Sequence, residues 1–209
     1  MPGISYQHRA GFRSLSHAYL KPKVDRFTAD IARGSTVLDL GCGNGTFLSQ
    51  YQDRGWKLFG LDFSTTGIEA AKQSYPDIQF VLSDAQTCVE TLREMLGAAD
   101  LIISTEVIEH LYDPPAFVEQ VFELLKPGGR FVLSTPYHGY LKNIALAAAG
   151  KWDKHHHPQW VHGHVKFFSV STLYKLLEDA HFENMEMTGA GRLPYLWKSM
   201  VVRCSKPTA

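Results

Sequence analysis

The segment VLDLGCGNGTF, from Val37 to Phe47, constrains the fold of this chain more than any other. It opens as a short, mostly apolar run of the kind that becomes a buried strand. The run ends in glycine at every second position, Gly41, Gly43 and Gly45, and a helix pattern from Thr46 to Tyr51 follows at once. Glycines at the end of a strand let backbone approach a ligand closely, because no Cβ intrudes. The helix beyond them offers unpaired N–H groups to the same ligand. A strand, a glycine turn and a helix in that order imply an α/β fold with a pocket at the strand's carboxyl end.

The rest of the chain repeats that alternation. A preliminary helical region covers about 14–33, and strand patterns fall near 36–40, 57–62, 78–82, 100–104 and 129–134. Helices are expected between them, near 45–54, 65–75, 87–96 and 115–125, with Pro127-Gly128-Gly129 as the turn feeding the fifth strand. After Pro136 the alternation lapses until a helix near 170–180 and two closing strands near 184–189 and 196–203. The expectation is one domain over residues 1–209, a mostly parallel sheet with helices on both faces. The N-terminal residues 1–34 would cap it, and residues 137–168 would form an excursion over the strands' carboxyl ends.

The glycine spacing separates cofactor types. Dinucleotide folds use G-x-G-x-x-G, whereas this loop is Gly41-x-Gly43-x-Gly45, preceded by Asp39. No Lys-Ser or Lys-Thr follows, so it is not a Walker-type phosphate loop. An acid beside the loop repels pyrophosphate and suits an ammonium or sulfonium group. Asp62, at the end of the second strand, is placed to accept ribose hydroxyls, and Phe63 to stack on a purine. Asp84, after the third strand, would take an adenine amino group.

Composition narrows the partners. The chain has 209 residues, with 21 Lys plus Arg against 21 Asp plus Glu, so no basic surface advertises a nucleic-acid backbone. Three unpaired-looking cysteines, Cys42, Cys88 and Cys204, imply neither disulfide nor zinc framework. Neither an apolar leader nor a membrane-length apolar stretch is present, which points to a cytoplasmic monomer or homodimer.

Taken in order, VLDLGCGNG, the acid of GLDFS, SDA after strand three, ISTEVIEHL after strand four and LKPGGRFVLSTP at strand five resemble the class I S-adenosylmethionine (SAM) dependent methyltransferases. The resemblance spans about Ser35 to Pro136. It implies the Rossmann-like fold of that class, with a seven-stranded sheet, and SAM as cofactor. It also implies that Asp39, Gly41, Gly43, Gly45, Asp62, Phe63, Asp84, Ala85 and Glu106 bind it.

A second motif, Glu106-Val107-Ile108-Glu109-His110, follows the fourth strand. Its i, i+3, i+4 spacing turns two carboxylates and an imidazole to one side of a helical turn. Such a set suits Mg²⁺ or Mn²⁺ better than Zn²⁺. The plainer alternative is that these residues contact SAM or fix a loop. E-x-x-E-H resembles the metal motif of the ubiquinone-biosynthesis O-methyltransferases and of the small-RNA 2′-O-methyltransferases. In the latter family a later histidine completes the metal shell, which by resemblance makes His164, in His162-Gly163-His164, the fourth ligand beside Glu106, Glu109 and His110.

The 137–168 excursion carries Tyr137, His138, Tyr140, Trp152, His155, His156, His157, Trp160, Phe167 and Phe168, a composition fit for a substrate lid. A self-packed loop is the alternative. The expected activity is methyl transfer from SAM to a small-molecule acceptor, at a hydroxyl oxygen, with His138 or His162 removing the proton. Competing readings are a metal-free O- or N-methyltransferase with a histidine base, a SAM-binding protein without turnover, and an RNA 2′-O-methyltransferase. In the N-terminal region, Tyr6, His8, Arg9 and Tyr19 are candidates, by position, to cover the methionine end of SAM.

Overall fold

A computed structural model describes residues 14–85, 89–156, 159–160 and 163–208. Seven strands form one sheet: β1 (Thr36–Leu40), β2 (Lys57–Asp62), β3 (Gln79–Leu82), β4 (Ala99–Thr105), β5 (Leu125–Pro136), β6 (Glu183–Ala190) and β7 (Ser199–Ser205). Their order is β3-β2-β1-β4-β5-β7-β6. Every pairing from β3 to β5 is parallel, and β7 runs antiparallel to both of its neighbours. Strand order reverses between β1 and β4, so the loops leaving those two strands diverge and open a crevice at their carboxyl ends.

The described residues include seven α-helices: α1 (Leu15–Phe27), α2 (Thr65–Ser74), α3 (Val89–Leu96), α4 (Pro114–Leu124), α5 (Tyr140–Ala148), α6 (Trp152–His156) and α7 (Val170–Asp179). Side chains alternate between the sheet's faces with the two-residue period of a strand. Leu38, Ile102, Phe131, Leu133 and Val202 pack under α3, α4 and α7, against Leu92, Phe117, Val121, Leu173 and Leu177. Val37, Leu101, Ile103, Val132 and Val201 face the other way, against Leu20, Val24, Phe27, Ile68 and Ala71 of α1 and α2. Asp39 shares the second face with Val37, which points a carboxylate into that layer.

Helix starts follow local chemistry. Ser64 accepts a hydrogen bond from the Gly67 N–H at the head of α2, and Asp113 accepts from Ala116 ahead of Pro114 in α4. Ser169 and Thr172 form a reciprocal capping box on α7.

Two segments depart from expectation. The helix expected over 45–54 is a 3₁₀ stretch at Leu48–Arg54. Ser49 and Gln50 side chains both donate to the Thr46 carbonyl, competing for the acceptor that an α-helical turn would use. The excursion after β5 holds α5 and α6, where no regular pattern was evident. No helix among the described residues is long and apolar enough to cross a membrane.

Candidate active site

The glycine loop is drawn back over the sheet by its own N–H groups. Gly41 and Cys42 both donate to the Leu61 carbonyl at the end of β2. Gly41 has a φ of 82°, and a Cβ there would lie 2.3 Å from Val107 Cγ2, in the loop after β4. Glycine at this position is therefore what lets the two loops at the crevice touch. A Cβ on Gly45 would strike the Phe80 ring, which closes the loop's far side. Gly43 also takes a positive φ, 54°.

Asp62 is buried and oriented by two main-chain donors, Gly43 N–H to Oδ2 and Ser64 N–H to Oδ1, each at 2.8 Å. These bonds tie the turns after β1 and β2 together, and each carboxylate oxygen retains a lone pair for a ligand hydroxyl. Phe63, next along, is 62% exposed, and Asp84 and Ala85 follow β3, with Asp84 exposed and Ala85 half-buried. The parallel register Asp62↔Leu82 brings these turns to the same edge of the sheet.

Asp39 is different. Its side chain is fully buried, and neither carboxylate oxygen has a hydrogen-bond partner. Burial, reinforced by the charge of Asp62, pushes its carboxyl up to about 7. An acid in that state is stabilised by a proton or by a cationic ligand.

Beyond β4 the chain turns sharply at Glu106, whose φ of 55° is unusual for a residue with a side chain. The turn is held by Ser134: its carbonyl and its hydroxyl both accept from the Glu106 N–H. The Ser134 and Ser199 hydroxyls donate to the two Glu106 carboxylate oxygens, at 2.7 and 3.1 Å. Burial raises the Glu106 carboxyl, and the two serine bonds oppose that.

Glu109 lies wholly inside, in the 3₁₀ turn Ile108–His110. Thr135 Oγ1 donates to Oε2, while Oε1 is buried with no hydrogen-bond partner and lies 4.0 Å from Nε2 of both His110 and His164. Burial, then the charge of Glu106, raises this carboxyl well above the usual range. The lid reaches it through main-chain bonds: the Val165 and Lys166 N–H groups donate to the Glu109 carbonyl. His110 Nδ1 lies 3.2 Å from the Gly163 carbonyl, within hydrogen-bond reach, so the lid's main chain also orients this ring. Ligand atoms of Glu109, His110 and His164 all lie within 4.8 Å of one another, a spacing able to hold a metal ion. Three of the four residues expected as metal ligands are thus brought together. The fourth, Glu106, is turned to Ser134 and Ser199.

His138 is buried at the start of the lid, 5.1 Å from the Phe167 ring and 5.7 Å from that of His156. Burial, with Lys142 and the neighbouring histidines, lowers its pKa to about 4. His162, Tyr6, His8, Arg9, Cys88 and His157 lie outside the described residues. Two further side chains lie at this site: Tyr19, a candidate by position, and Lys142, to which the sequence reading gave no role. Tyr19 of α1 reaches Ser199 and feels the charge of Glu106, burial raising its phenol. Lys142 of α5 is buried and donates to the Tyr137 carbonyl at 2.7 Å. A helix of apolar residues gave no sign that its lone lysine turns inward.

A sheet in this order, with a glycine loop and acids at the ends of β1 and β2, defines a SAM-dependent methyltransferase of class I. The methyltransferase-domain family profile matches residues 8–187, and the chain belongs to that family. Its methyl donor is S-adenosyl-L-methionine. Among curated relatives, it is 30% identical over 165 residues to a ubiquinone biosynthesis O-methyltransferase of Cereibacter sphaeroides, covering 78% of this chain and 66% of that protein. The chain therefore spans about two thirds of that relative's length. Among solved structures, magnesium protoporphyrin IX methyltransferase from Synechocystis PCC 6803, with bound SAH, superposes with a TM-score of 0.65 at 20% identity, over 90% of this chain and 81% of that one. The [4+2]-cyclase SpnF superposes at 0.68 with 15% identity, over 99% and 88%. At such identities the likeness shows the fold alone, so the reaction must be argued from the site.

Proposed function

We propose that this protein methylates a hydroxyl oxygen of a small molecule, assisted by a divalent cation held by Glu109, His110 and His164. The observation that carries the reading is the fully buried Glu109 Oε1, without a hydrogen bond and 4.0 Å from two imidazole nitrogens. A buried carboxylate oxygen that faces two imidazoles and accepts no hydrogen bond is costly unless a cation joins them. Burial lowers the His164 pKa to about 4, so its ring is neutral and its lone pair available at physiological pH. One carboxylate with two imidazoles suits Mn²⁺ or Zn²⁺ better than Mg²⁺, a shift from the preference that two carboxylates with one imidazole implied. When bound, such an ion lowers the pKa of a hydroxyl presented to it.

The protein's own groups have defined tasks in this reading. Asp39, Asp62 and the glycine loop fix the donor, and Phe63, Asp84 and Ala85 border its purine end. Glu106 buttresses the turn between the donor and the histidines. The ~30% identical O-methyltransferases support a hydroxyl as the acceptor group. A metal-free mechanism with His138 as base fits less well. A base with a pKa of about 4 is mismatched to a phenol near 10, because proton transfer is then uphill by roughly 8 kcal/mol. His162 remains the other proposed base.

The test is to purify the protein in chelator, restore Mn²⁺, Zn²⁺ or Mg²⁺ separately, and follow methylation of a catechol panel. Activity is expected to return with metal, together with one equivalent bound by elemental analysis. Full turnover in excess chelator would overturn the metal's role. Glu109→Gln and His164→Ala are expected to lose metal and activity together.

A further inference from the structure

Helix α5 is built inside out. Tyr140, Leu141 and Ile144 are exposed, while Lys142 is its one buried residue, at 4% exposure. Successive residues stand about 100° apart around a helix, so a modest rotation would bury Leu141 and release the lysine to solvent. The fold forgoes that apolar burial and keeps an ammonium inside.

What surrounds the ammonium leaves it short of a counter-charge. Its Nζ donates to two main-chain carbonyls, those of Tyr137 at 2.7 Å and Lys198 at 3.4 Å. It joins no ion pair among the described residues; Glu106, the acid that feels its charge, is already engaged by Ser134 and Ser199. A lysine has three Nζ donors, so one remains beyond the two carbonyls. Buried charges are normally paired, and an unpaired one is costly.

A second observation points the same way. His156 Nε2 is buried without a hydrogen-bond partner, and its ring lies beside those of His138, Trp152 and Phe167. Lys142 acts electrostatically on His138, His156 and His164 as well as on Glu106, so its charge is felt both in the histidine-bearing lid and at that acid. An under-paired buried cation, with an unmet imidazole nitrogen in an aromatic cluster that feels its charge, matches a flat ligand that carries an anionic oxygen.

We infer that Lys142 recognises a negatively charged oxygen, a carboxylate or phenolate, on the methyl acceptor. This rests on the small-molecule reading above and deepens it: the acceptor is an anionic aromatic. The donor's own carboxylate offers the same chemistry, and the two sources are separable by experiment.

Calorimetric titration of the full chain, saturated with S-adenosylhomocysteine, with benzoate and with its neutral isostere benzamide is the test. The native protein is expected to bind benzoate at least ten-fold more tightly than benzamide, in chelator as well as with metal. Lys142→Met is expected to erase that preference, Lys142→Arg to keep most of it, and both to bind S-adenosylhomocysteine within about two-fold of native. If Lys142→Met fails a circular-dichroism check of folding, Lys142→Gln replaces it, and the native benzoate–benzamide comparison still decides. Benzoate binding absent at millimolar concentration, or no tighter than benzamide, overturns the inference. So does a preference that survives in Lys142→Met or vanishes with chelator. Loss of S-adenosylhomocysteine affinity in Lys142→Met, with the benzoate preference intact, assigns the lysine to the donor instead and also overturns it. The metal reading fails separately, through turnover in excess chelator.

Discussion

Burial lifts the Asp39 carboxyl to about 7, from 3.8 for an ordinary aspartate. Between those two values the folded chain retains a proton that the unfolded chain has released. Stability therefore falls as pH rises from about 4 to about 7, and Asp39 weakens the ligand-free fold most above that window. Asp39→Asn is expected to flatten part of this slope and to be the more stable form at pH 8, as urea titrations at several pH values would reveal. In the proposed reading the ammonium of S-adenosylhomocysteine would supply the missing positive charge, so binding near pH 6 should expel a proton. Calorimetry in buffers of different ionisation enthalpy measures that proton directly, and equal heats in all buffers would count against it. The same variant should bind the ligand about ten- to a hundred-fold more weakly, the size of a lost charged hydrogen bond. Gly41 makes a steric counterpart. Gly41→Ala meets Val107 Cγ2 at 2.3 Å and adopts a φ of 82°, and is expected to cost about 2–5 kcal/mol in urea unfolding. Adding Val107→Ala should return the contact part of that loss and leave the backbone part.

Among elements, α7 illustrates what short-range chemistry secures. Its capping box joins Ser169 and Thr172, far from the donor loop in sequence. Ser169→Ala is expected to destabilise by about 1 kcal/mol, lowering Tm by about 2–4 °C, with S-adenosylhomocysteine affinity unchanged. Strand positions, most helices, the glycine loop and its acids were legible because a two-residue period, a cap or a glycine turn is written within a few residues. The 3₁₀ stretch after the loop was not, since it depends on which side chain captures the Thr46 carbonyl. Helix α5 was missed for another reason. An alanine-rich apolar segment carries no polar face, so no periodicity marks where it begins or which side turns inward.

The whole molecule gathers the groups proposed to hold donor and acceptor along one edge of the sheet, where β1 and β4 part. Ligand that binds only the folded chain stabilises it by mass action. S-adenosylhomocysteine at a hundred times its Kd should add about 2.7 kcal/mol, or about 5–11 °C in Tm, in a thermal scan. Asp39→Asn should show less of that gain at equal ligand concentration.

By itself the sequence determined the layered α/β architecture and where the proposed donor end of the site falls on it. Asp39, the three loop glycines and Asp62 sit at ends of strands whose alternation places them on one edge. Only the tertiary structure decided the arrangement of the proposed acceptor end. His110 and the Gly163 carbonyl are 53 positions apart, and Val165 and Lys166 dock on the Glu109 carbonyl through main-chain bonds that no side-chain pattern encodes. The same long-range packing turned Glu106 to its serines, left Glu109 Oε1 between two imidazoles and drew Lys142 inward. Spacing along a chain fixes what neighbouring residues share, whereas burial and charge depend on everything that packs around them.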